Sequence, residues 1–306
     1  MTTPLPETAV PDVSLTVVVM SLVGGAALER CLRAVARIPA RRIVMLRPDA
    51  TDGVSHARSE FEWHVVNGSV PEKRARGLAA ATTEWVAIIE DTCEPAPTWH
   101  DAMIAIAAAE QGVAWSGPVE ISHHLAPRFM ALACVEYAEF TTANWTRLAV
   151  ARAAGAACRM ARIPGLNLVY RRSAVDFRDL ADGLVESDFH DDMQRRGGAL
   201  CLHPDLAVTY FAPDHRNAAV RARYVHGRIY GGGVAQRVPA GARLVGALKC
   251  VVLPAVLTLR ALRGLPSTYR RRTSTLSWIM AFSCAWALGE CFGLLAGRGD
   301  AAFDWT

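Results

Sequence analysis

Two carboxylates stand together at the end of a short apolar run. In Trp85-Val86-Ala87-Ile88-Ile89-Glu90-Asp91 the apolar residues give way abruptly to acids. Such a run reads as a strand buried on both faces, as in a parallel sheet. Ligands of open α/β sheets bind just beyond the carboxyl ends of the strands, and acids placed there can hold a divalent metal or ribose hydroxyls. They can equally cap the helix that follows Pro95, and residue types alone leave both readings open. Cys93 lies beside these acids without an obvious His partner in the sequence and reads as a small packing residue.

The composition narrows the field. The chain has 306 residues, enough for one large domain or a domain with an appendage. Its net charge of +4 is too small for a general nucleic-acid binder. Hydrophobic content is 52% and mean hydropathy +0.17, with the excess gathered after residue 240. The opening MTTPLPETAVPDV lacks a basic segment followed by an apolar one, so the bulk of the protein is expected in the cytosol. Eight scattered cysteines without a CxxC pair read as reduced, mostly buried thiols, and argue against a zinc site.

The elements that must position the acids follow from pattern. Residues 1–13 read as a flexible lead-in. Strands are predicted at 15–20, 42–46, 61–66, 85–89, 113–121, 165–170 and 200–211. Helices are predicted at 26–37, 71–82, 98–109, 129–145, 183–196 and 216–230, the last ended by Gly231-Gly232-Gly233. Strands alternating with helices of this length imply βαβ units and a mainly parallel sheet.

Four stretches in this order resemble family 2 glycosyltransferases of the GT-A fold: LTVVVMSLVGGAALERCLRAV, VPEKRARGLAAATTEWVAIIEDTCEPAPTW, PGLNLVYRRSAV and LVESDFHDDMQRRGGALCLHP. The resemblance runs along most of residues 14–235. It implies an α/β GT-A domain over 14–235, Rossmann-like with helices flanking the sheet, and leaves 236–306 as a hydrophobic helical appendage. It also implies a nucleotide-diphospho-sugar donor and a divalent ion, Mg or Mn.

Site roles follow from the resemblance residue by residue. Asp91 is implied as the metal ligand and Glu90 as a contact to ribose or sugar. The triplet closes on Thr92 where the family pattern has an acid, which removes one hard oxygen ligand. Ser21 and Val23 are implied to lie against the base through backbone groups, Asp49 to bond the base, and Arg74 to approach base or phosphates. Asp52 shares the turn with Asp49, where Asp is also common for local backbone bonds. Asn167 is implied as a donor contact in the glycine-x-asparagine strand. Glu186 is implied as the proton acceptor, with Asp188 as the alternative; acids in a helix's first turn also simply complement its dipole. His190 lines the acceptor site or the surface. Arg221 and Arg223 are implied to pair with the leaving diphosphate, with Arg228 joining them; a basic face near anionic lipid is the other reading. His215 is a further residue that could approach the metal.

The tail bears on location. Leu244–Leu259 as one helix spans about 24 Å, short of the roughly 30 Å hydrocarbon core. Ser274–Gly297 is long enough to cross. A hairpin would place the arginines of 260–272 opposite the catalytic domain, so a re-entrant or in-plane pair with arginines at headgroup level is expected. The combined expectation is an inverting transferase at the cytosolic face of the cell membrane, acting on a lipid-linked or cell-envelope glycan. The rival is a catalytically degenerate GT-A domain that binds a nucleotide-sugar or a partner protein. A Rossmann dehydrogenase is disfavoured, since Ser21–Gly25 lacks the G-x-G-x-x-G spacing.

Overall fold

The computed structural model describes residues 13–48, 61–109, 112–123, 125–142, 150, 157–180, 183–211, 219–270 and 272–305. Its strands are β1 (Leu15–Met20), β2 (Arg42–Arg47), β3 (Glu62–Val65), β4 (Trp85–Glu90), β5 (Cys93–Pro95), β6 (Ala114–Ser116), β7 (Val119–Ile121), β8 (Cys158–Met160), β9 (Asn167–Arg171), β10 (Leu200–Leu202) and β11 (Val208–Tyr210). The helices are α1 (Gly25–Val35), α2 (Val70–Ala80), α3 (Trp99–Ala109), α4 (Pro127–Tyr137), α5 (Glu186–Arg195), α6 (Ala219–Arg237), α7 (Ala240–Lys249), α8 (Leu253–Gly264) and α9 (Thr273–Ala296).

A large sheet runs in the order β3-β2-β1-β4-β9-β6-β10-β8. The pairs β1–β2, β1–β4, β2–β3 and β6–β10 are parallel. β9 enters antiparallel between β4 and β6, and β8 closes the far edge antiparallel to β10. Every residue of β1 and β4 is buried, which is why both read as unbroken apolar runs. Met20 pairs with Glu90, so the two strands end at one level. From β1 the chain order turns outward to β2 on one side and β4 on the other. The loops that leave β1 and β4 therefore meet at a switch point, the place where open α/β sheets bind ligands. Antiparallel β9 brings its first residue, Asn167, to that same level opposite Ile89.

Several expectations change. The strand expected at 113–121 is two strands, β6 and β7, in different sheets. At the break the backbone of Leu206 packs against Gly117 so closely that a Cβ there would lie 1.8 Å from its carbonyl oxygen. The strand expected at 200–211 divides likewise into β10 and β11, and β11 joins β5 and β7 in a second, three-stranded sheet. Strands β5 and β8, three residues each, are too short for a periodic signal. The three glycines at 231–233 lie inside α6 rather than ending it. They let α6 and α9 approach backbone to backbone: a Cβ on Gly231 would meet the Glu290 carbonyl at 2.2 Å, and one on Gly289 the Tyr224 carbonyl at 2.0 Å. The helix expected over 244–259 is α7 and α8, bent by 59°. Among the described residues α9 is the one unbroken helix long and apolar enough to cross a membrane, and 44% of its apolar window is buried in the protein.

Candidate active site

Asp91 opens the site. Its Oδ2 accepts from the backbone N–H groups of Leu22 (3.0 Å), Val23 (2.9 Å) and Gly24 (2.8 Å), and from Ser21 Oγ (3.3 Å). These donors converge because the β1–α1 turn curls into a nest, with Gly24 and Gly25 at φ +74° and +53°, values that favour glycine. Burial raises the Asp91 pKa, while the nest bonds pull the other way. Its Oδ1 is buried without a hydrogen-bond partner. Asp91 thus ties the end of β4 to the start of α1, and Ser21 and Val23 enter the cleft as its donors.

Glu90 points to the other side. Its Oε1 lies 3.0 Å from Arg74 Nη2, and Arg74 Nη1 bonds the carboxylate of Glu186. One guanidinium, nearly sealed from solvent, therefore joins the end of β4 to the first turn of α5. Burial pushes Glu90 up to about 7; Arg74 opposes this, and the neighbouring charges of Glu186 and Asp91 add to it. Gly165, just before β9, makes room for the junction: a Cβ there would lie 2.8 Å from Glu186 Oε1 and 3.0 Å from Arg74 Nη2. The Trp305 ring covers the guanidinium, its centroid 4.9 Å from Arg74 Cζ, and the Trp305 carbonyl accepts from Val70 N–H at 2.8 Å.

Lys73 is the next residue along α2 and is 5% exposed. Burial lowers its pKa and the charge of Asp91 opposes that, while Arg74 meets Glu90 and Glu186.

Glu90, Asp91, Arg74 and Glu186, from remote parts of the chain, are thus brought to one place. Other expected residues go elsewhere. Asp188 bonds Arg298 and lies 3.3 Å from Arg237. Asn167 is a structural rivet: its Oδ1 accepts from Trp99 Nε1 at 3.1 Å and its Nδ2 donates to the Leu206 carbonyl at 2.8 Å, which leaves its side chain no reach to a donor. Arg223 is buried against Glu136 (3.4 Å) and over the Trp286 ring (4.4 Å), between α4, α6 and α9, and does not reach the cleft. Arg221 is exposed and pairs with Asp304 at 3.4 Å. Arg228 lies over the Phe292 ring at 4.9 Å. His190 is a core histidine whose Nε2 is 2.8 Å from the Tyr170 hydroxyl; burial first, then Arg74, pushes it down to about 3. Asp49, Asp52 and His215 lie outside the described residues.

Lys73, Gly165 and Trp305 were not assigned from the sequence. Lys73 and Gly165 stand inside matched motifs, VPEKRARG and PGLN, so adjacency was the available signal. Trp305 carried none.

The carboxylates do not fit a divalent ion in this arrangement. Asp91 Oδ2 is filled by four donors and its partnerless Oδ1 is sealed from solvent, while Glu90 and Glu186 share the guanidinium that already supplies their counter-charge. Among the described residues no three His, Cys, Asp or Glu stand together as a metal would need.

No family model matches the sequence, and no curated protein matches it. Solved structures do match the fold. The mannosyltransferase PcManGT from Pyrobaculum calidifontis, crystallised with GDP-Man and Mn2+, has a TM-score of 0.51 at 18% identity, over 88% of this chain and 85% of that one. The chain has a GT-A glycosyltransferase fold. GalNAc-T7, crystallised with UDP, GalNAc and Mn2+, is also similar, with a TM-score of 0.47 at 12% identity over 66% of this chain; the chain spans 44% of that structure's length. In this GT-A fold the switch point between β1 and β4 carries Asp91, Glu90 and, through Arg74, Glu186.

Proposed function

We propose that the protein is an inverting glycosyltransferase of the family 2 type, moving a sugar from a nucleotide-diphospho-sugar to a hydroxyl of a lipid-linked or cell-envelope glycan. The single observation that carries the reading is the Arg74 bridge, which sets Glu186 of α5 beside Glu90 of β4 at the sheet's switch point. Support for a sugar-nucleotide comes from the GT-A fold itself.

The chemistry needs little else. Glu186 accepts the proton of the attacking hydroxyl. The hydroxyl oxygen forms a bond to the anomeric carbon from the face opposite the leaving group. The bond from that carbon to the diphosphate breaks, and its electron pair leaves on the nucleoside diphosphate. Glu90, protonated in part near neutrality because its pKa is about 7, can donate to as well as accept from sugar or ribose hydroxyls. Arg74 holds Glu186 in place. No step is routed through a metal, because Asp91 Oδ2 is held by four donors and Glu90 and Glu186 share the Arg74 guanidinium.

The membrane reading rests on the face of α7 and α8. Leu244, Val245, Leu248, Val251, Val252, Val256 and Leu259 are all exposed large apolar residues. Arg263 and Arg270 follow them, while Arg260 pairs with Glu139 at 2.5 Å. An in-plane pair with its apolar side in the acyl boundary and its arginines at anionic headgroups suits that pattern, with the catalytic domain on the cytosolic side. Glu186→Gln tests the enzymatic reading. It is expected to lower transfer about 10²–10⁴-fold while nucleotide binding persists; full activity would remove Glu186 from this role.

A further inference from the structure

The GT-A cleft of this chain carries its positive charge in side chains. Arg74, 1% exposed, is committed to Glu90 and Glu186. Lys73 is different. The residue is 5% exposed, yet among the described residues its ammonium has neither an ion pair nor a hydrogen bond, and it is not sealed from solvent. An ammonium held with little water and no protein partner is a group that an anionic ligand can complete. Lys73 is also on the right element. α2 packs across β1, β2 and β4, with Gly77 one turn further on pressed against Val18 and Leu46, so the start of α2 overhangs the carboxyl ends of those strands. The β1–α1 nest closed by Asp91 lies at those same strand ends.

A diphosphate leaving group needs neutralising as its bond breaks, and either a divalent ion or fixed cations can do this. Here Asp91 Oδ2 is held by four donors and its Oδ1 is sealed from solvent, Glu90 and Glu186 share one guanidinium, and a cation without a protein partner is on the same helix as that guanidinium. Resting on the transferase reading above, we infer that this chain binds the diphosphate of its donor without a divalent ion, with the Lys73 ammonium as the direct phosphate contact. Arg74 stays with its two acids and positions the base.

The test is calorimetric titration of the full chain with UDP and GDP, in EDTA and again with excess MnCl2, each compared with uridine or guanosine. At least one nucleoside diphosphate is expected to bind in EDTA, more tightly than its nucleoside, with an affinity that Mn changes by less than about twofold. Lys73→Met is expected to weaken that binding about tenfold or more and Lys73→Arg to restore most of it. Should Lys73→Met not fold, the wild-type chain still decides: the margin of diphosphate over nucleoside must shrink as salt rises. Binding that appears only with Mn, or a diphosphate that binds no better than its nucleoside, overturns the inference and leaves the transferase reading standing. Lys73→Met that binds like wild type removes Lys73 from the contact. Absence of any nucleotide binding in either buffer overturns both.

Discussion

Arg74 offers the sharpest perturbation. Its guanidinium is shared by two carboxylates and capped by the Trp305 ring, and its side chain is 2% exposed. Arg74→Met keeps the aliphatic volume and deletes the charge. Removing one partner of a buried ion pair costs about 3–5 kcal/mol, because the other charge is left unpaired. The structure sets a ceiling on this. Glu90, whose pKa is already about 7, can take up a proton instead of remaining as an unpaired anion, and Glu186 keeps some contact with solvent. We therefore expect about 3 kcal/mol at pH 8 and a smaller loss at pH 5.5, where Glu90 is already neutral. For a domain of this size that is a fall in Tm of about 6–12 °C. Thermal melts followed by circular dichroism at the two pH values provide the measurement. Combining Arg74→Met with Glu90→Gln and Glu186→Gln should recover most of the loss, since the orphaned charges go with the cation. A single variant that melts within about 1 °C of wild type at pH 8 would refute the bridge. So would a triple variant no more stable than the single one.

Other expectations follow from the same cleft and from the apolar face. Gly165→Ala brings a Cβ into the junction of Glu186 and Arg74; kcat is expected to fall while the melt stays near that of wild type, because two flexible side-chain ends must move rather than backbone. Glu90 is protonated more readily folded than unfolded, so its contribution to stability is most favourable at low pH and is lost as pH rises from about 4.5 through about 7. The loss is on the order of 3 kcal/mol, and chemical denaturation of Glu90→Gln should show a flatter pH profile across that window. Leu248→Asp with Val251→Asp places charge on the exposed side of the α7–α8 bend; co-flotation with vesicles containing anionic lipid should drop, and unchanged flotation would remove that face from membrane contact.

The strand-end acids, the βαβ alternation around β1, β2 and β4, and the Arg74 and Glu186 motifs were visible in the chain, because buried parallel strands and helix starts leave local patterns. Hydrophobic runs specify β1 and β4 whatever lies beside them. What local pattern cannot carry is which partner a polar side chain finds. Asn167 and Arg223 stand in motifs that suggest ligand contacts, but Trp99, Leu206 and Glu136 satisfy them inside the protein. Asp91 sits at the expected strand end and spends one oxygen on a turn about 70 residues earlier in the chain. The glycines of 231–233 read as a helix stop until α9 is known to press on them. Trp305 reaches Arg74 only because the chain after α9 returns over α2. Sequence determined the frame, since backbone propensity and burial act over a few residues. Tertiary structure decided the chemistry of the cleft, because a buried charge is governed by neighbours that contact order, and not sequence order, assembles around it.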